Sequence, residues 1–519
     1  MNDLTTRTTQ AVGLLVLLAL SAGPAVAQFG SSGTPPQGSV ANQLPLRGTD
    51  GQNGSVTATQ APIPGTTTSV NTLNTSIQVS GPYAGSTRST VKMPFTGKIS
   101  FLEAIQRGLD FNLGTEGMAQ AMRQAQGQTK VARSSLLPNV TTDLSETIQQ
   151  TNLRVAGIRL NTTIPGLSIP SIVGPYNYFD LRAHLTQTIG DMTAWKNYRS
   201  AQELARSQQY AFKDARDLVV LAVGGSYLQV VAANARVTSA QAQLTTATAL
   251  FQQATEQRAA GLLSLTDLNQ SHIEVLTDQQ RLESLRNDLA KQKINLARMT
   301  GLPPNDQFEI TDDISFAPGP DINVEDALAQ AYAGRQDLKA SASQLRASEL
   351  AKSAAHAERF PTLAVNGDYG VNGTNPDQSH RTFSGTATLS IPVWRGGRTE
   401  GDIQQADASF VQRRSELDNL HDKIESDIRS AYLDLQTTAT QVSVAEENLK
   451  VNQQTLELTT QRFQAGVTDN VEVVQTRESV ANAELDYINS VFANNIAKLS
   501  LARAMGNAEG RLQQFLKLP

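Results

Sequence analysis

The sequence has no cysteine among its 519 residues, which excludes a disulfide framework and any thiolate metal site. Aromatic residues make up only 5%, too few for a large aromatic core. The net charge of −5 offers no cationic surface to a nucleic acid, and none is expected as a partner. After the first 27 residues no run of 18 apolar residues occurs, so no transmembrane helix is expected. The five histidines, His184, His272, His356, His380 and His421, show no paired ligand spacing on one helix face, so no metal or other cofactor is expected. Nothing supplies a nucleophile with its base, so an enzyme is not expected either. The last absence is proline, which is missing between Pro392 and Pro519.

That proline-free stretch carries the organising pattern. Ile424, Ile428, Ala431, Leu435, Thr438, Val442, Ala445, Leu449, Asn452, Leu456, Thr459 and Phe463 alternate at spacings of four and three. A period of 3.5 residues kept this long makes helices supercoil, because 3.6 residues per turn would rotate the seam away from its partner. The helix is expected to start near Trp394 and run to a turn at Ala465 and Gly466, a rod of roughly 100 Å at 1.5 Å per residue. A second row, Val444, Val451 and Leu458, lies beside the first and gives the helix two neighbours. After Gly466, the run Val474, Ala481, Leu485, Ile488, Phe492 and Leu499 returns antiparallel.

The unit occurs twice. Tyr227, Gly261 and Gly301 match Tyr432, Gly466 and Gly506, and 432 less 227, 466 less 261 and 506 less 301 are all 205. The seam maps onto Val219, Val223, Val230, Ala233, Val237, Ala240, Leu244 and Phe251. Shorter helical patterning from Ser100, which can cap against Glu103, to Leu137 recurs from Val324 to Phe360, each stopped by a proline. Residues 99–301 are therefore a first repeat and 324–506 a second, with a proline-rich linker at 302–323 and a short tail at 507–519. Residues 1–27 read as a secretory signal, with Arg7, an apolar Ala11 to Leu20 and the small Ala25, Val26, Ala27. Residues 28–98, rich in Gly, Ser, Thr, Pro, Gln and Asn, are expected to be a disordered extension.

Within each repeat the period changes to two after the proline. In the second, a strand pair at about 362–393 sets Leu363, Val365, Tyr369 and Val371, then Phe383, Ala387, Leu389 and Ile391, against Asn366, Asp368, Ser384, Thr386 and Thr388. In the first, a pair at about 139–189 sets Phe179, Leu181, Ala183, Leu185 and Ile189 against Asp180, Arg182, His184, Thr186 and Thr188, although Glu146 interrupts the apolar face of its other strand. Strands of about ten residues are long enough to cross an outer membrane when tilted. Four strands cannot close a barrel, and open edges are not tolerated in lipid, so a barrel has to be shared between chains. Long helical hairpins at 192–301 and 395–506 complete the repeats.

The duplication, the junction Ile391, Pro392, Val393, Trp394, Arg395, Gly396, Gly397, Arg398 and the Arg462, Phe463, Gln464, Ala465, Gly466 approach to the turn resemble the TolC-type outer membrane efflux protein family over residues 99–506. The resemblance implies a mainly α fold with a small β part. In it, three identical chains each give four strands to a twelve-stranded transmembrane barrel in outer membrane lipid, and their hairpins form an α-barrel in the periplasm. It implies a passive exit duct for efflux or type I secretion, with a periplasmic adaptor and an inner-membrane transporter as partners. It places a gate near the hairpin tips, carried over to Glu472 and Gln475 as an acidic ring and to Thr266 and Asp267 as one side of links between hairpins. Phe463 and Thr468 stand where the family has a tyrosine and an arginine. The adaptor would dock around Gly261, Leu262, Arg462, Ala465, Gly466 and Val467, and Pro392, Trp394, Gly396 and Gly397 mark the strand-to-helix junction. An exported coiled-coil adhesin or stalk accounts for the heptads but not for the amphipathic strands or the junction glycines.

Overall fold

The computed structural model describes residues 54–62, 73–87, 95, 97–153, 171–303, 308–312, 316–320, 322–465, 467, 470–506 and 508–516. The signal segment 1–27 and the tip residues Gly466 and Thr468 lie outside them. Elements run in the order β1 (Val56–Pro62), β2 (Leu73–Val79), β3 (Lys98–Ile99), α1 (Phe101–Phe111), α2 (Leu113–Ser134), β4 (Asn139–Asn152), β5 (Ile172–Gly190), α3 (Met192–Ala259) and α4 (Leu265–Thr300). They continue with β6 (Glu309–Ile310), α5 (Val324–Gly334), α6 (Gln336–Ala357), β7 (Thr362–Gly373), β8 (His380–Ser390), α7 (Arg398–Gln464), α8 (Asn470–Ala504) and α9 (Ala508–Leu516).

The duplication is visible in element lengths. The short helices have 11 and 22 residues in both copies, and the long hairpins pair 68 with 36 residues in the first and 67 with 35 in the second. Along α7 the seam positions Ile424, Ile428, Thr438, Val442 and Ala445 are fully buried, while Val444, Val451 and Leu458 of the second row stay half exposed. Ser100 caps α1 as its spacing with Glu103 suggests, its Oγ accepting the Glu103 amide at 3.2 Å. One correction concerns the start of α7. The helix begins at Arg398 and not near Trp394, because Gly396 and Gly397 both take positive φ, 62° and 82°, a left-handed pair that no helix continues through.

A second correction concerns residues 28–98, expected to be disordered throughout. Among the described residues of this segment, β1 and β2 form an antiparallel hairpin, followed by a 3-10 turn at Gly81–Ala84, and both pack on the helical core. Few large apolar residues suffice because the contact surface is cut to fit. Gly225 of α3 lies where any Cβ would stand 1.8 Å from the Ile77 Cδ1, and a Cβ at Gly114 would stand 2.5 Å from the Tyr83 ring. Buried Asn112 then ties the turn down, donating to the Tyr83 carbonyl at 2.8 Å and accepting the Gly114 amide at 2.9 Å. The hairpin also reaches the second repeat, where Gln60 Nε2 donates to the Ala493 carbonyl at 3.0 Å.

The linker and tail join the same region. Glu309–Ile310 pairs in parallel with Lys98–Ile99, and Asp312 accepts from the Phe101 amide at 2.6 Å and the Tyr227 hydroxyl at 3.2 Å. Burial, then the Asp312 charge, raises the Tyr227 hydroxyl above its ordinary range, so it stays a donor. The repeats are clamped across by Arg503 of α8 on Asp214 of α3 at 2.6 Å and by Arg216 of α3 on Glu509 of α9 at 2.7 Å. One window of α3 is apolar enough to cross a membrane, but 72% of it is buried inside the fold, which makes it core.

Candidate functional site: an amphipathic sheet and the hairpin tips

The four long strands form one antiparallel sheet in the order β4-β5-β7-β8. Its register keeps like faces together. Val140 pairs with Leu185, Leu144 with Leu181, Leu181 with Val371, Tyr369 with Phe383 and Leu363 with Leu389, so one face is apolar across all four strands. Much of that face is bare, Leu144 being 68% and Phe383 83% exposed. Soluble proteins rarely leave such a patch uncovered. Polar residues do fall on this face, among them Glu146 opposite Phe179, Gln187 opposite Val365 and Arg381 opposite Val371.

The other face is a charged network. Arg182 of β5 pairs with Asp368 of β7, with Asp180 at 3.3 Å and with the Thr382 hydroxyl of β8 at 3.4 Å. Ser384 also donates to Asp368, and His184 stands 3.6 Å from Asp143 of β4. The strands exceed the ten residues expected, reaching 14 and 19 in the first repeat. Both outer strands, β4 and β8, have an edge with no partner strand among the described residues.

At the junctions, Trp394 is 87% exposed and Gly397 is the N-cap of α7. Trp195, on which no sequence motif falls, follows β5 as Trp394 follows β8 and is 46% exposed. These are the only two tryptophans in the chain. An aromatic just beyond each alternating run was the available signal.

At the tips, the residues assigned by resemblance have local partners. Asp267 belongs to the cap of α4, its amide donating to the Ser264 Oγ at 3.1 Å and its carboxylate accepting the Ser264 hydroxyl at 2.6 Å; Thr266 is exposed beside it. Glu472 is paired with Arg462 of the same hairpin at 2.8 Å, and Gln475 is exposed one turn on. Phe463 is half buried. Gly261 has φ of +75° at the first reversal, while Leu262 and Val467 are 79% and 68% exposed and Ala465 caps α7.

The cross-hairpin charges lie higher. Arg477 of α8 stands 3.6 Å from Asp278 and 4.0 Å from Glu274 of α4, one helical turn apart, and Arg236 of α3 donates to Asn489 at 2.5 Å. Burial raises both carboxylates above their ordinary range, with Arg477 offsetting only part of that. A raised folded-state value contributes stability that is present at low pH and is lost as pH rises through it. Asp278→Asn should therefore gain thermal stability over the parent as pH rises above roughly 4, the ordinary aspartate value. Melting curves across that range check it.

The profile of the family described as outer membrane efflux protein matches residues 116–302 and 327–507. The chain belongs to that family. The outer membrane protein TolC of Escherichia coli (strain K12) is 22% identical over 392 residues, covering 72% of this chain and 76% of that protein. OprJ of Pseudomonas aeruginosa is 24% identical over 329 residues, covering 61% and 66%. Among solved structures, VceC of Vibrio cholerae superposes with a TM-score of 0.67 at 17% identity over 78% of this chain and 96% of its own. The Campylobacter jejuni CmeC outer membrane channel gives 0.68 at 16% identity over 89% and 98%. Its family places the chain at the outer membrane.

Proposed function

We propose that three copies of this chain close a twelve-stranded barrel and an α-helical tunnel, and that the assembly is the passive exit duct of a tripartite efflux or type I secretion system. The observation that carries the reading is the sheet, with one bare apolar face, one charged face and two open edges, continuing directly into helices of 68 and 67 residues. Lipid satisfies the first face, water the second, and only neighbouring copies satisfy the edges. The exposed row Val444, Val451 and Leu458 supplies a second seam for a neighbouring helix. Trp195 and Trp394 fit the interface level where the barrel meets the periplasm. The bare tips at Leu262 and Val467 are where a periplasmic adaptor would seat, linking the duct to the inner-membrane transporter that drives it. Reconstitution in planar bilayers tests the channel, with discrete conductance steps expected; their absence from a folded, membrane-extracted protein would rule against it.

The Arg462 and Glu472 pair changes what the tip charge should do. Each Glu472 carries a cation 2.8 Å away, so the ring is partly neutralised. Arg462→Gln should raise cation selectivity a few-fold and Glu472→Gln should lower it, because a carboxylate in a constriction favours cations. Reversal potentials under a salt gradient read both, and a shift of the same sign in the two variants would remove Glu472 from the pore.

A further inference from the structure

The foot of the β7–β8 hairpin is where α6 ends and α7 begins, and a buried carboxylate stands on each side of it. Glu358 caps the end of α6, four residues before β7, and is 4% exposed. Asp402 lies five residues into α7 and is 9% exposed. Farther along the same interface α6 and α7 meet with opposite charges, Lys352 standing 2.7 Å from Asp407. At the foot two like charges meet instead.

Each of these carboxylates has an oxygen left over. Glu358 Oε1 and Asp402 Oδ2 are buried without a hydrogen-bond partner among the described residues. The neighbouring cations do not satisfy them: Arg395 donates at 3.4 Å to the other oxygen of Glu358, and Arg398 Nε stands 3.5 Å from Asp402 Oδ2 without bonding to it. Both arginine side chains are partly exposed, at 40% and 45%, so water screens their charge. Asp191, the cap of α3, adds a third negative charge. Burial, then the charge of Asp402, holds the Glu358 carboxyl above its ordinary range, and the two arginines offset part of that.

The first repeat does without acids here. Ser135 precedes β4 by four residues as Glu358 precedes β7, and Asn197 matches Asp402 under the 205-residue offset. Ser135 turns its hydroxyl to the Ala132 carbonyl at 2.8 Å. Neutral residues at the same two places show that the fold itself does not call for a carboxylate pair.

We propose that Glu358 and Asp402 share one proton, and that the pair is a pH-sensitive staple across the foot of the β7–β8 hairpin. A proton between them lets one carboxyl donate to the other, which supplies the bond both leftover oxygens lack and removes the repulsion between two buried like charges. The two groups then titrate as a pair. When the proton leaves, two desolvated charges face each other and push the end of α6 from the start of α7. Strand β7 follows the one and β8 precedes the other, so the second hairpin is held at its foot at low pH and loosened at high pH, while the first is unaffected. The sign follows from a raised folded-state value, whose stabilisation is present at low pH and is lost as pH rises through it. The inference does not need the duct reading, because it concerns contacts within one chain.

Infrared titration of the full-length protein in detergent tests the proton. In the spectrum of the parent less that of Glu358→Gln, the protonated carboxyl band should persist above the ordinary glutamate value of about 4.3, and the same difference taken in an Asp402→Asn background should titrate lower. Hydrogen exchange tests the staple. Glutamine keeps a donor and carries no charge, so at about pH 8 amide exchange across residues 352–362 and 398–407 should be severalfold slower in Glu358→Gln than in the parent, and the two should match at about pH 4. A band that titrates at or below the ordinary value, a titration that Asp402→Asn leaves in place, or equal exchange at pH 8 overturns the proposal. Each amide keeps the shape of its acid and can make the shared bond, so failure of either variant to fold also counts against it.

Discussion

Leu389→Arg and Leu185→Arg are expected to abolish assembly in the outer membrane, while Thr388→Ala and His184→Ala leave it near the parent level. Adjacent residues on one strand are compared, so expression and sequence context are matched. Leu389 pairs with Leu363 and Leu185 with Val140 on the apolar face, whereas Thr388 and His184 share the face of Asp368 and Arg182. An arginine on the lipid face costs roughly 2 to 4 kcal/mol near the bilayer midplane, and every copy in the assembly repeats it. That is a large share of a typical folding free energy of about 5 to 15 kcal/mol. Fractionated outer membranes report the outcome, and equal yields from both pairs would remove the lipid-facing assignment.

Gly506→Ala should be strongly destabilising, costing roughly 3 to 5 kcal/mol. Gly506 ends α8 with φ of +75°, and an added Cβ would stand 2.7 Å from the Arg335 amide nitrogen and 2.9 Å from its Cα. Those are backbone atoms with nowhere to go. Arg335 is itself pinned by Asp337 at 2.6 Å and Asp427 at 3.0 Å, so the clash reaches the packing of α5 and α6 on α7. Gly261 shares the φ of +75° but has nothing within 4 Å of its Cβ direction, so Gly261→Ala should cost only about 1 to 2 kcal/mol, the left-handed strain alone. Thermal unfolding of the purified variants separates the two, and similar losses would show that conformation, not contact, decides at Gly506.

How far the sequence carried depended on which physical rule wrote each part. The α7 seam was legible because period 3.5 over so many turns has one structural meaning, and its buried and exposed rows follow the pattern. The sheet was legible because pairing in register preserves a period of two on every strand. The β1–β2 hairpin and the turn after it were not, since they are held by close approach of Ile77 to Gly225 and of Tyr83 to Gly114, more than a hundred and about thirty residues on, and composition sees no such fit. That Arg477 of α8 meets Asp278 and Glu274 of α4 is visible only in the fold, because contact between hairpins is set by packing and not by local period. The tip residues were matched by position, and position does not tell a side chain's partner: Asp267 bonds to the helix cap Ser264 and Glu472 pairs with Arg462.

The central claim is that copies of this chain close a barrel by joining β8 of one to β4 of the next. Engineered disulfides test it directly in a protein free of native cysteine. Ser145→Cys on β4 would be combined in turn with Gly385→Cys, Thr386→Cys and Ala387→Cys on β8, because facing residues of paired strands lie about 4.5 to 5.5 Å apart at Cα, within disulfide reach. Oxidised in native outer membranes and run under denaturing conditions without reductant, at least one pair should yield a covalent species of three chains and no larger ladder, with either single cysteine giving none. Products that stop at two chains, or no link between chains in any of the three pairs, would contradict the shared barrel.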